Sequence, residues 1–422
     1  MKRRMTELCL LLCALLLMNG CGAANLFGSR GSSPRTLRFM HPDPEHQGVY
    51  EQLAQKYSKL HEGLTVKVLC AARDRYAADW LAAQKGDSPA DLFAVLPGEG
   101  FAAFSESGIL SKLKTDELLP EGYDKNLLQF GSDGKNTLAV PVTGSVPLIF
   151  YNAALYEKYG LIEPATISDF IVNCQLLKNG GSKPFAMAVK DGRWDMLDFS
   201  EGVIANGPRN SKLVSGGVLT DGKSGLDGGF YDLWGAAFSL VTSDALPEKS
   251  GAPSGHDQLI KQFAQGKYAM ACGDSSDVST LTQQMGAGKF GFFSMPGTDT
   301  AYGGVWKANL MLGISKKSKL KDDAEGFLSY LLSRDSQAAL CDETSSVPAV
   351  QGVSLSARNA SRLQKMLHSS GGYSLSVFQR IPDPERKVCV KYLDSFWSLQ
   401  PYDIDGSISR FQQELEKSTG KK

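Results

Sequence analysis

From Thr36 onward the apolar positions recur with two distinct periods. Leu37 and Phe39 alternate with polar neighbours in the stretch Thr36 to Met40, which predicts a half-buried strand. His41-Pro42-Asp43-Pro44 ends it, because two prolines in four residues do not continue a central strand. Tyr50, Leu53, Ala54, Tyr57 and Leu60 then repeat at helical spacing and predict a helix with one apolar face. Leu64 to Leu69 reads as a second strand, Tyr76 to Gln84 as a helix carrying Trp80, and Asp91 to Leu96 as a third strand closed by Pro97-Gly98. This alternation predicts an α/β protein with a largely parallel sheet and crossover helices. Ligands of such sheets sit beyond the carboxyl ends of the strands, so the loops at His41–Glu45 and Pro97–Glu99 are the places to look.

The pattern changes at Ala139-Val140-Pro141-Val142-Thr143-Gly144-Ser145-Val146-Pro147, an apolar run that passes through prolines and a glycine into Leu148 to Asn152. A strand carrying the chain from one lobe to another has this form. A short helix from Ala153 to Tyr159 is stopped by Gly160, and Thr166 is placed to cap the helix that follows. Residues 206–228 are rich in Gly and Ser and predict an exposed loop. Further on, Gln258 to Gln265 and Asp323 to Leu332 read as helices, Lys267 to Cys272 and Val305 to Ile314 as strands, and Phe411 to Lys417 as a closing helix.

Ahead of this pattern stands a different segment. Lys2, Arg3 and Arg4 precede a charge-free apolar run from Leu8 to Met18. The run falls short of the roughly 20 residues that span a bilayer as a helix, and the segment 1–20 reads as a secretory signal peptide, with a retained short anchor as the alternative. Removing it takes away three basic residues and Glu7, so 42 basic residues face 44 acidic ones in the remainder. A near-neutral balance points away from nucleic acid. The chain of 422 residues suits two lobes rather than one core, and 42% hydrophobic with 21% charged residues is an ordinary globular composition.

Leu17-Met18-Asn19-Gly20-Cys21 resembles the lipobox of bacterial lipoproteins, which marks Cys21 as a lipid-modified residue. The stretch 21–35 reads as a flexible tether. Cys70, Cys174, Cys272, Cys341 and Cys389 remain, an odd number with no Cys-x-x-Cys spacing. They read as free buried thiols and not as a zinc or disulfide framework, although one disulfide is compatible with the compartment. No His-Glu-x-x-His or Gly-x-Ser-x-Gly motif occurs.

In order along the chain, Leu37 to His41, Asp91-Leu92-Phe93-Ala94, Gly108-Ile109-Leu110, Ala139-Val140-Pro141 through Tyr151-Asn152, Phe263 to Met270, Phe290 to Gly297, Gly303 to Trp306, Gly313 to Lys316 and Val347-Pro348-Ala349 form a recognisable set. In that set the chain resembles the family 1 extracellular solute-binding proteins, the group of maltose-binding and multiple-sugar-binding proteins. Asp274-Ser275-Ser276 departs from it, standing where the family often has an aromatic. The resemblance implies a type II periplasmic-binding-protein-like fold. Residues 36–140 with 298–340 would form lobe 1, and 141–297 with 341–422 lobe 2. It further implies a ligand in the cleft, hinge closure, recognition by the permease of an ABC importer, a monomeric state, no cofactor and no catalysis.

Sugar clefts combine aromatic faces with acids and amides. His41, Asp43 and Glu99 qualify by their strand-end positions, although local turn and helix-terminus roles would also account for acids there. Thr143 and Ser145 follow the crossover, and Asp274 follows the strand ending at Gly273. Trp194 and Asp195, read as part of a polar loop, and Trp306 and Tyr302, beside the glycine pair, complete the candidate set. Trp80, Trp234 and Trp397 sit in helical patterns and are assigned to the core. Another small polar solute, a secreted carbohydrate-active enzyme and a surface adhesin remain as alternatives.

Overall fold

The structure, a computed structural model, describes residues 34–71, 76, 79–80, 90–188, 193–205, 239, 243, 245, 253–297, 304–356, 358–368, 373–381, 383–396 and 404–418. The signal segment, Cys21, the tether up to residue 33, the 206–228 stretch, Trp234, Tyr302 and Trp397 lie outside the described residues.

Among the described residues, two sheets organise the fold. The first has seven strands: β1 (Arg35–His41), β2 (Leu64–Cys70), β3 (Leu92–Ala94), β4 (Ala139–Ser145), β9 (Val305–Ile314) and β10 (Val347–Pro348) run in the order β10-β4-β9-β3-β1-β2, and β11 (Ser374–Leu375) pairs with β9. The second has four: β5 (Pro147–Asn152), β6 (Phe185–Ala186), β7 (Met270–Asp274) and β8 (Phe290–Ser294), in the order β6-β7-β5-β8. One residue, the fully buried Val146, separates β4 in the first sheet from β5 in the second.

The expected parallel sheet is found only in part. β1 is parallel to β2 and to β3, but β9 is antiparallel to both β3 and β4. The reason is the crossover. β4 runs toward the second sheet and β9 returns from it, so the two strands lie side by side in opposite directions.

The helices around these sheets are α1 (Gln47–Leu60), α2 (Glu99–Glu106), α3 (Ala153–Tyr159), α4 (Ile167–Asn179), α5 (Arg193–Ala205), α6 (His256–Ala264), α7 (Asp277–Met285), α8 (Lys321–Leu331), α9 (Arg334–Thr344), α10 (Arg358–His368), α11 (Asp383–Phe396) and α12 (Ile404–Ser418). Tyr50, Leu53, Ala54 and Tyr57 of α1 are buried as their spacing requires, while Leu60 is exposed. Gly160 ends α3 at φ 61°, a left-handed conformation that glycine adopts without strain. Thr166 and Asp169 form a reciprocal capping box at the start of α4.

Residues on the second sheet divide by period two. Leu148 and Phe150 join the core shared with the first sheet, whereas Ile149, Met270 and Cys272 face a separate core with Phe170, Phe185, Cys389 and Phe411. Trp80 is buried against Phe93, with ring centroids 4.1 Å apart. The five described cysteines are free; Cys174, Cys272, Cys341 and Cys389 are buried and Cys70 is exposed.

Candidate functional site: the seam between the two sheets

Ser145 at the end of β4 and Asp274 at the end of β7 meet Lys307, near the start of β9, along the seam between the sheets, while His41 ends β1 and Glu99 follows β3. His41, the last residue of β1, is fully buried, with its ring centroid 4.2 Å from that of Tyr50. Its Nδ1 accepts the Asp43 N–H at 3.2 Å. Burial lowers its pKa despite the opposing pull of Asp43, which fits a neutral, accepting imidazole. Asp43 precedes α1: its carboxylate lies 2.9 Å from His46 Nδ1 and accepts the Tyr50 hydroxyl at 3.3 Å. Burial would raise the Asp43 pKa, but the bonds from His46 outweigh it and the net shift is downward.

Glu99, in the first turn of α2, is 65% exposed and pairs at 2.9 Å with Arg386 Nη2, whose side chain is 8% exposed. Arg386 belongs to α11, and its helix neighbours Cys389 and Tyr392 lie in the second core. This ion pair therefore crosses the mouth of the seam. Gly98 sits at φ 68°, and a Cβ there would come within 2.5 Å of Arg386 Nη1, so the bare backbone lets the guanidinium approach.

Deeper in, Ser145 and Lys307 face each other in register on β4 and β9. Lys307 Nζ reaches both Asp198 oxygens at 2.6 Å and Asp274 Oδ2 at 3.3 Å. Asp274 also accepts the Ser145 hydroxyl at 2.9 Å and the Ser276 hydroxyl at 2.6 Å. Asp198 comes from α5, which packs on the second sheet, and Asp274 from β7 of that sheet, so one lysine of the first sheet is held by two acids from the side of the second.

The electrostatics follow from burial. Desolvation raises Asp198 to about 7 although Lys307 opposes it. Desolvation acts the same way on Asp274, but Lys307 and the two serines overcome it and hold that acid at about 2. Lys307 itself is raised, its two acids outweighing the cost of burial.

Asp198 is one of three buried acids at a spacing of three on α5. Asp195 accepts the Ala188 N–H at 3.1 Å and lies 2.6 Å from His256 Nδ1. His256 Nε2 lies 2.8 Å from Asp277, which in turn accepts the Asp274 N–H at 2.8 Å. Burial would lower the His256 pKa, but Asp277 and Asp195 override it and raise it. Glu201 accepts the Phe378 N–H at 3.1 Å, the Val377 N–H and the Ser376 hydroxyl. Those residues belong to a segment running across β9. In the same segment the Gln379 carboxamide pairs with both the N–H and the C=O of Ala308, at 2.7 and 3.1 Å.

Among the candidates from sequence, then, Ser145 and Asp274 meet directly, His41 and Asp43 meet each other, and Glu99 stands at the mouth. Thr143 is buried on β4 opposite Leu310 and Pro348. Asp195 is committed to Ala188 and His256. It and Trp194 lie in the first turn of α5 rather than in a loop, because Leu197, Phe199 and Val203 bury the helix; the Trp194 side chain lies outside the described residues. Trp306 is on the other face of β9 from Lys307, as successive strand residues must be. It packs on Gly144 and lies 5.6 Å from the Phe130 ring. Sequence reasoning missed Lys307, Asp198, Glu201, His256, Asp277, Gln379 and Arg386. The spacing Asp195, Asp198, Glu201 was the signal available. No group of three or more His, Cys, Asp or Glu side chains is arranged to hold a metal ion among the described residues, and no helix among them is long and apolar enough to cross a membrane.

The cluster fixes a pH dependence with a definite sign. Asp198 titrates higher folded (about 7) than unfolded (3.8), so its contribution is complete below pH 4 and is lost as the pH rises through 7. Asp274 works the other way: its contribution is lost as the pH falls from 3.8 through about 2. Urea-unfolding free energies measured from pH 4 to 7 should decline more steeply in the wild type than in Asp198→Asn. Parallel slopes would show that Asp198 is not the group responsible.

The profile of the family described as bacterial extracellular solute-binding protein matches residues 43–338. The chain belongs to this family. It is 26% identical over 230 residues to the multiple sugar-binding protein of Streptococcus mutans serotype c, a match covering 51% of this chain and 52% of the relative. The alignment thus spans about half the length of that curated relative. The fold is similar to that of the GacH receptor of Streptomyces glaucescens, with a TM-score of 0.73 at 18% identity over 92% of this chain and 100% of that one. It is also similar to RafE of Streptococcus pneumoniae, with a TM-score of 0.71 at 17% identity over 92% and 99%. The solute-binding protein is accordingly a two-lobed α/β molecule of the maltose-binding-protein type.

Proposed function

We propose that this solute-binding protein captures a sugar or oligosaccharide between its lobes and delivers it to the permease of an ABC importer, as a monomer held to the outer face of the membrane by lipid on Cys21. Lobe 1 comprises residues 36–140 with 298–340, and lobe 2 residues 141–297 with 341–422. The observation that carries this reading is the seam itself: polar strand ends from both sheets converge there, and Arg386 of the second lobe reaches Glu99 of the first across its mouth. The S. mutans relative is a multiple sugar-binding protein, and the GacH receptor and RafE have been solved in complex with acarbose and raffinose.

His41, Asp43, Glu99, Thr143, Ser145 and Asp274 are the polar residues assigned to the ligand, with Trp194 and Tyr302 as aromatic faces. Asp195 supports the site from behind, through His256. Closure then requires only that ligand bind the closed state more tightly than the open one.

Thermal unfolding against a panel of mono- and oligosaccharides, with polyamines and amino acids included, tests the reading. A sugar at 100 times its dissociation constant adds about 2.7 kcal/mol of stability. Glu99→Ala should weaken that sugar tenfold or more, equivalent to about 1.4 kcal/mol. Stabilisation by a polyamine or amino acid alone would keep the fold and refute the sugar.

A further inference from the structure

Polar contacts join the two sides of the seam at different depths. At its root, Lys307 meets Asp274 beside Ser145, the residue before the Val146 crossover. The Gln379 carboxamide holds Ala308 there too. At its mouth, Arg386 meets Glu99 at 2.9 Å. Glu99 follows β3, the second strand from β4 in the sheet and about 10 Å from it at the usual strand spacing. Rotation about the crossover therefore disturbs the mouth contact more than the root contacts.

We infer that Arg386 is a positioning residue for capture: its ion pair with Glu99 is a latch that draws the mouth of the seam shut before a solute arrives. The first observation behind this is that the partners are built on opposite sides. Phe104 packs the Glu99 helix against Trp80 and against Phe93 of β3, with ring centroids 5.0 and 5.7 Å apart. Ile381, Cys389 and Tyr392, on either side of Arg386 in the chain, lie in the second core. The pair must break when the two sides separate. The second observation is the asymmetry of burial. The Arg386 side chain is 8% exposed and that of Glu99 65% exposed, so the cation is held in place and the carboxylate is wet. Such a pair is weak and screened by salt, and it biases the equilibrium without locking it. The third is fit. The guanidinium comes against the backbone of Gly98, where a Cβ would block it.

A carboxylate has about four acceptor sites, so Arg386 leaves room on Glu99 for a solute hydroxyl. The latch sets that carboxylate in the mouth, and apparent affinity scales with the latched fraction. The inference rests on the seam as the capture site. Closure is readable with no solute present, so a failed latch and a failed sugar are separate results.

Glu106 of α2 and Lys387 of α11, both exposed, lie on the two helices that the pair joins. Each is replaced by p-acetylphenylalanine and spin-labelled, which leaves the cysteines untouched. The distance between the labels is read by double electron–electron resonance in the solute-free protein. It is measured in about 0.01 M and about 1 M salt, across which the screening length falls from about 30 Å to about 3 Å. At low salt, Arg386→Met and Glu99→Gln should each lengthen the distance by more than about 2 Å, the scale of a hinge rearrangement. Arg386→Lys, which keeps the cation but loses the planar fork, should fall between them and the wild type. High salt should lengthen the distance in the wild type and leave Glu99→Gln unchanged, a response that a merely structural Arg386 would not give. Equal distances in the wild type and Glu99→Gln would overturn the inference, even if Arg386→Met differs, because the change would then trace to lost packing. So would a salt response of the same size in the wild type and Glu99→Gln.

Discussion

Lys307→Met lowers the unfolding free energy at pH 7 by about 3–5 kcal/mol, the range for removing one partner of a buried ion pair. Methionine nearly fills the same volume, so little of this comes from a cavity. The loss is electrostatic. Lys307 is the cation between Asp198 and Asp274, and all three side chains are largely buried. Without it Asp198, which Lys307 holds down to about 7, is pushed higher and takes up a proton, and the charge left stranded is that of Asp274. Two further results follow from the same cause. The variant should recover stability as the pH falls toward 5, because Asp198 is then fully protonated and Asp274, no longer held down by Lys307, titrates higher than in the wild type. Adding Asp274→Asn should return at least half of the loss at pH 7, since it removes the stranded charge. Urea unfolding of the four proteins of the cycle, at two pH values, measures all of this. A loss below about 1 kcal/mol, the scale of exposed pairs, would mean that the cluster is wet and does not bind the lobes together.

The sequence carries the local part of this architecture openly. The alternation in Thr36 to Met40, the helical spacing from Tyr50 to Tyr57 and the crossover at Val146 each appear in the structure because short-range periodicity and sterics decide them. The direction of β9 does not come from its own residues; it comes from the chain having left the sheet at β4. The same limit applies to the site. Lys307 and Asp198 are 109 positions apart, and Arg386 stands far along the chain from Glu99. Neither pairing has a local trace. What could have been read is the run Asp195, Asp198, Glu201. Three acids at one helical spacing among apolar neighbours announce buried partners, even when those partners are unnamed. Trp306 and Lys307 show the complementary case. Adjacent strand residues must point to opposite faces, so only one of them joins Asp274, and it takes the assembled sheet to say which.

Gly144→Ala and Trp306→Ala should be strongly coupled. A Cβ on Gly144 would lie 2.1 Å from Trp306 Cε2 and 2.5 Å from its Nε1, closer than any carbon tolerates. The indole has little room to retreat: it is 1% exposed and Phe130 stands beside it. Overpacking of this kind costs about 1–3 kcal/mol. Trp306→Ala alone removes a buried aromatic and should cost about 3–5 kcal/mol. That is why truncating Trp306 is a poor test of ligand binding, since lost sugar affinity would be confounded with lost structure. In the Trp306→Ala background, however, the methyl of Gly144→Ala enters the space the indole vacated, and its penalty should vanish. The interaction energy of the cycle should then reach about 1–3 kcal/mol, against the 0.3–0.5 kcal/mol scatter of independent sites. Urea unfolding of the four proteins gives the number. Additivity within that scatter would mean that the indole does not rest on Gly144.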